Sequence, residues 1–173
     1  MNSSEDFISR LGRPMVAHRL RRLSELLLDG YARWLPEAGV TAPARSLSTL
    51  LLLAEEGPLG VTELAARLRL SHPLMIKLVA ALQDAGFVTT NADPGDGRRR
   101  PARLTERGRT EARRVGTALA ALDRAFADLF QETGVDLFDA VARVELACRR
   151  ETFTERLQRA AVASPEHEEV QCD

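Results

Sequence analysis

Sulfur, aromatic surface and lysine are all scarce in this sequence. Its 173 residues hold two cysteines, Cys148 and Cys172, too few for a disulfide framework, and no CxxC or Cys/His cluster has metal-ligand spacing. A reduced, cytoplasmic protein is expected from that usage. No apolar run approaches the ~18 residues of a membrane span, and MNSSEDFISR lacks the apolar core of a secretion signal, so no membrane partner is expected. His18, His72 and His167 are scattered, and HExxH, GxSxG and glycine-rich phosphate loops are missing. These gaps speak against an enzyme, a metal site or a cofactor. Aromatics make up only 5% of the chain, so the core must be built from Leu, Ala and Val. Lys77 is the single lysine; every other basic residue is an arginine.

Charge is present but unevenly placed. The net charge is −1, yet arginines stand at 98, 99, 100, 103, 107, 109, 113 and 114 with only Glu106 and Glu111 among them. A basic cluster inside a neutral chain points to an anionic partner at one face. The alternative is a solvated, arginine-rich helix face. Residues 164–173 are acidic, without Lys or Arg, and read as a disordered tail.

Periodicity orders the rest. Residues 1–13 read as an arm or a short helical lead-in. Residues 14–40 hold a long helix with Val16, Leu20, Leu23, Leu27, Tyr31 and Trp34 on one stripe. A second helix over 45–56 is apolar on more than one side, as a central buried helix is. Two short helices follow, over 62–69 and 72–85. Gly60 or Thr62 caps the first, with Glu63 placed for a capping box if Gly60 is the cap. Ser71 caps the second, with Pro73 in its first turn. So few residues between them leave only a helix–turn–helix. Residues 87–90 then read as a strand, 91–97 (NADPGDG) as a turn, and 98–104 as a returning strand that Pro101 confines to an edge or bulge. Helices over 105–130 and 136–160 complete the chain. The predicted fold is mainly α with a small β-wing: a winged helix–turn–helix over 41–109, flanked by the N-terminal helix and by helical residues 110–163.

This order has a physical use at double-stranded DNA. The second helix of the pair fits the major groove, and arginines on the hairpin reach phosphates or a narrow minor groove. TELAARLRLSHPLMIKLVAALQDAGFV (62–88), followed by DPGDGRRRPARLTERGR (93–109), resembles the MarR family of winged helix–turn–helix regulators. The L-T-x-x-G of Leu104, Thr105 and Gly108, behind an Asp/Arg-rich wing, is the more specific part of the likeness. The N-terminal half also resembles a subgroup in which an acetyltransferase domain is fused behind the winged helix. The chain leaves no room for that domain, so no acetyl transfer is expected.

The resemblance implies a homodimer, in which the first and last helices intertwine, bound to a pseudo-palindromic operator, more commonly as a repressor. It implies that Asp96 orients an arginine into the minor groove, namely Arg98, or Arg99 or Arg100 in its place, with Arg103 on the same wing. On the recognition helix, Ser71, His72, Leu74, Met75 and Lys77 are the expected DNA-facing residues. Few of them donate hydrogen bonds to base edges, so readout through shape and wing contacts is expected. The resemblance also implies a small aromatic or amphipathic effector in a cleft lined by Arg19, Arg22, Tyr31 and Trp34. The plainer alternative is that the aromatics are core and the arginines surface. Cysteine-based oxidant sensing is not expected: Cys148 reads as packing and Cys172 has no basic neighbour to activate it. The competing function is a winged-helix protein-interaction module without DNA binding, which the apolar recognition helix alone supports.

Overall fold

The computed structural model describes residues 6–91 and 100–162. Two compact units meet at Leu122, inside one long helix.

In the first unit, Asp6 caps the short α1 (Phe7–Leu11) and a 3-10 turn over Arg13–Met15 leads into α2 (Val16–Trp34). Then come α3 (Leu47–Glu56), α4 (Val61–Leu68) and α5 (His72–Asp84), and the paired strands β1 (Val88–Thr89) and β2 (Arg103–Leu104). The first part of α6 (Glu106–Thr133) closes the unit. The expected order of helices and wing strands is present. Leu50, Leu64, Met75, Leu82, Phe87, Ala102 and Val115 are buried together, so α3, α4, α5, the wing root and α6 share one core.

Glu111 sits inside that core. Its carboxylate accepts from the Thr41 N–H, from the Thr41 hydroxyl at 3.1 Å and from the Ala42 N–H at 2.7 Å, and Arg114 donates from outside at 3.3 Å. A buried carboxylate is tolerable only when paired and hydrogen-bonded in this way. The bonds fasten the loop after α2 to α6.

Gly134, at φ +68°, ends the long helix in the second unit. The Asp136 side chain caps α7 (Leu137–Arg150) by accepting from the Asp139 N–H at 2.9 Å. The single helix expected over 136–160 is in fact two, because Glu151 is extended and α8 (Phe153–Val162) starts afresh. Thr152 and Glu155 explain the break. Glu155 accepts from the Thr152 N–H at 2.7 Å, while the Glu155 N–H donates to the Thr152 hydroxyl at 3.3 Å. That T-x-x-E capping box is a local signal of the sequence itself.

Apolar stripes run along α2, α7 and α8, but none of the three helices buries a residue within one chain. Val16, Leu20, Val144 and Leu157 all stay exposed. Cys148, expected as buried packing, is only half-buried. Among the described residues, no helix is long and apolar enough to cross a membrane.

Candidate nucleic-acid interface

The pair α4–α5 is built from local signals. Gly60 caps α4 through its backbone alone: its N–H donates to Glu63 Oε2 at 2.7 Å, the half of a capping box that needs no cap side chain. Arg69 ends α4 in the left-handed region, at φ +54°. The Leu70 N–H reaches back to the Ala65 carbonyl at 3.0 Å, which satisfies the end of the helix. Ser71 then caps α5 by accepting from the Leu74 N–H at 3.4 Å. The turn between the helices is thus residues 69–71.

Met75, Leu78, Val79 and Leu82 hold α5 on the core. Two buried hydroxyls, one on the 3-10 turn over Ala44–Ser46 and one on α3, pin it further: Ser46 donates to the Leu78 carbonyl at 3.3 Å, and Thr49 donates to the Met75 sulfur at 3.8 Å. Met75 was expected to face DNA. It is fully buried, at 0% exposure, and is removed from that surface. The helix phase explains the correction, since residues 75, 78, 79 and 82 form one i, i+3, i+4, i+7 stripe. Ser71, His72, Leu74 and Lys77 are exposed as expected. Ile76, left out of the expected contacts, is 49% exposed on the same helix.

β1 pairs antiparallel with β2, Val88 opposite Leu104 and Thr89 opposite Arg103. Leu59 adds a third, single-bridge edge: the Ala102 N–H donates to the Leu59 carbonyl at 2.9 Å. Pro101, next to that bridge, is buried. The Gln83 amide donates to the Thr90 hydroxyl at 2.8 Å, tying α5 to the wing root. Asp96, Arg98 and Arg99 lie outside the described residues. Arg100 is exposed and Arg103 half-buried.

Not all of the basic cluster is available to a partner. Arg109 is held by Glu106 at 2.7 Å and by the Leu104 carbonyl at 3.0 Å, and its guanidinium keeps the Glu106 carboxyl below the ordinary carboxylate range. The Arg107 guanidinium lies 4.7 Å from the centre of the Phe87 ring, and Arg114 pairs with Glu111. These three arginines brace the wing and α6, while Arg100 and Arg103 lie on the wing limb itself.

The L-T-x-x-G run now has a geometric reason. Thr105 caps α6: its hydroxyl accepts from the Gly108 N–H at 3.0 Å and donates to the Gly86 carbonyl at 2.8 Å. Its N–H donates to the Phe87 carbonyl at 3.0 Å. A β-carbon on residue 108 would stand 2.0 Å from that same Phe87 oxygen, so only glycine fits.

The MarR family profile matches residues 38–99. The HTH-type transcriptional repressor Rv2887 of Mycobacterium tuberculosis is 31% identical over 108 residues, covering 62% of this chain and 76% of that protein. The chain belongs to the MarR family. Solved MarR-type regulators share its fold. PcaV from Streptomyces coelicolor, crystallised with its natural ligand, is 28% identical with a TM-score of 0.60, covering 77% of this chain and 93% of the other. A probable transcriptional regulator from Pseudomonas aeruginosa is 25% identical with a TM-score of 0.57, covering 75% and 96%. This MarR-family chain is therefore a winged-helix, DNA-binding transcriptional regulator.

The four residues expected around an effector do not form one lining. Arg22 pairs with Asp6 at 2.8 Å and holds that carboxyl below its ordinary range; Arg19 donates to Ser9. Both guanidinia thus serve the α1–α2 contact. Nine residues separate Arg22 from Tyr31, which at 100° per residue puts them on opposite sides of α2. Tyr31 and Trp34 pack against the core, and burial pushes the Tyr31 phenol up. These positions support the plainer alternative, core aromatics and surface arginines.

Proposed function

We propose that this regulator works in the cytoplasm as a homodimeric repressor that binds a pseudo-palindromic operator. The observation that carries the proposal is the N-terminal part of the outward face of α5: residues 71–83 contain no carboxylate, Asp84 stands at the far end of the helix, and the opposite face is locked in the core. The N-terminal turns of such a helix meet a polyanion without repulsion. Lys77 and the exposed Ser71 and His72 supply its polar contacts, Leu74 its apolar one, and Arg98, Arg99, Arg100 and Arg103 supply the wing's positive charge, with Asp96 as the orienting carboxylate. Homodimer formation is supported by the exposed apolar residues Val16 and Leu20 of α2, Val144 of α7 and Leu157 of α8, which a second copy buries. The repressor role follows Rv2887, which carries that name.

Ligand control is proposed on the strength of relatives. CouR from Rhodococcus jostii, 26% identical with a TM-score of 0.50, was crystallised with p-coumaroyl-CoA, and PcaV with its own ligand. In this chain the apolar cleft between the end of α6 and α7 is the better candidate for such a ligand than the Arg19–Trp34 face. It is an open groove of about 700 Å³ lined by Phe126, Phe130, Leu137, Phe138 and Val141.

Selection of bound duplexes from random DNA tests the reading. The expected product is an inverted repeat with half-site centres about one helical turn, ~34 Å, apart, bound with an affinity that falls steeply as salt rises. Recovery of no sequence, or binding insensitive to salt, overturns it. Light scattering checks the dimer.

A further inference from the structure

We infer that α5 distinguishes thymine from cytosine by the C5-methyl group, with Ile76 and Leu74 as the apolar contacts on either flank of Lys77. This rests on the proposed entry of α5 into the major groove. The phase of the helix supplies the geometry. Opposite the buried stripe stand Pro73, Lys77 and Ala80; at 100° per residue Ile76 and Leu74 fall on the two sides of that line. Both are left substantially exposed, at 49% and 41%, on a helix that packs its other large apolar residues away.

The chemistry selects thymine in two ways. In the major groove thymine presents a methyl group and an acceptor, whereas cytosine presents an amine donor. An isoleucine or leucine laid on the methyl removes apolar surface from water on both partners. Laid on cytosine, the same side chain shields the N4 amine from water and gives it no acceptor, a cost that an Asp or Glu would relieve. No such residue exists between Glu63 and Asp84, and the Gln83 side chain is bonded to Thr90. Ile76 is also branched at Cβ, so it loses little rotamer freedom on contact.

The test uses the full chain and a duplex recovered by site selection, with each thymine beneath α5 replaced in turn by deoxyuridine, which removes only the methyl. Wild-type affinity is expected to fall about fourfold for each contacted methyl. Ile76→Ala or Leu74→Ala should bind the thymine and deoxyuridine duplexes alike at the affected position, while Ile76→Val keeps the preference. Equal wild-type affinity for both duplexes at every position overturns the inference and leaves DNA binding intact. So does a preference that survives at every position in both alanine variants. If the wild type binds no duplex at low salt, the DNA-binding reading falls and this inference with it.

Discussion

Gly108 lies against the Phe87 carbonyl so closely that a β-carbon there would stand 2.0 Å from the oxygen. The same oxygen accepts from the Thr105 N–H at 3.0 Å. The start of α6 and the end of the helix–turn–helix are therefore one joint. Gly108→Ala should force them apart at a cost of roughly 1–3 kcal/mol or more, as overpacking does. A urea midpoint unchanged from wild type would contradict this.

Glu111 is the second joint, between α6 and residues 41–42. Glu111→Ala leaves the Thr41 and Ala42 N–H groups without their acceptor, each costing about 1–3 kcal/mol. Glu111→Gln keeps one amide oxygen facing the same donors and should lose less. Chemical denaturation of both variants is the measurement, and equal losses would mean that the acceptor geometry is irrelevant.

Met75 and Lys77 are two residues apart and should fail differently. Met75→Ala opens a hole in the core and should cost about 2–5 kcal/mol of stability. Its base preference, where the protein still folds, should be unchanged. Lys77→Ala should leave the melting temperature near wild type, weaken DNA binding and, if Lys77 meets a phosphate, lower the salt slope by about one. Anisotropy titrations at several salt concentrations separate the two.

Arg98→Ala combined with Arg99→Ala should collapse DNA retention and reduce the salt slope by about two if both meet phosphates. A double variant that binds as tightly as wild type at moderate salt would remove the wing from the interface.

The α7–α8 break should be acid-sensitive. The Thr152 hydroxyl and N–H hold the Glu155 carboxyl below its ordinary range. A lowered folded-state pKa means that the capping box contributes fully above the ordinary carboxylate pKa and is lost as pH falls through the lowered value. Amide exchange at residues 152–155 should therefore quicken on acidification relative to neighbouring helix, and Glu155→Gln, which removes the titrating group, should abolish the difference.

Much of this was legible in the sequence because the signals are local. Ser71 as a cap and Gly60 with Glu63 each act within four residues, and the turn between α4 and α5 follows from them. Helix phase was partly legible too, yet the place of Met75 was not, because three apolar neighbours, Leu74, Ile76 and Leu78, blur the stripe. The arginine cluster read as one patch. Ion pairs and stacking divide it, because Arg107, Arg109 and Arg114 find partners at Phe87, Glu106 and Glu111.

By itself the sequence determined the order of elements, the capped helix pair and the family, since backbone geometry and capping depend on near neighbours. Tertiary structure alone decided that Ser46 and Thr49 pin α5 to the core, why residue 108 must be glycine, and that Glu111 is a buried tie. Those depend on residues up to 70 positions apart in the chain, which meet only when the core closes.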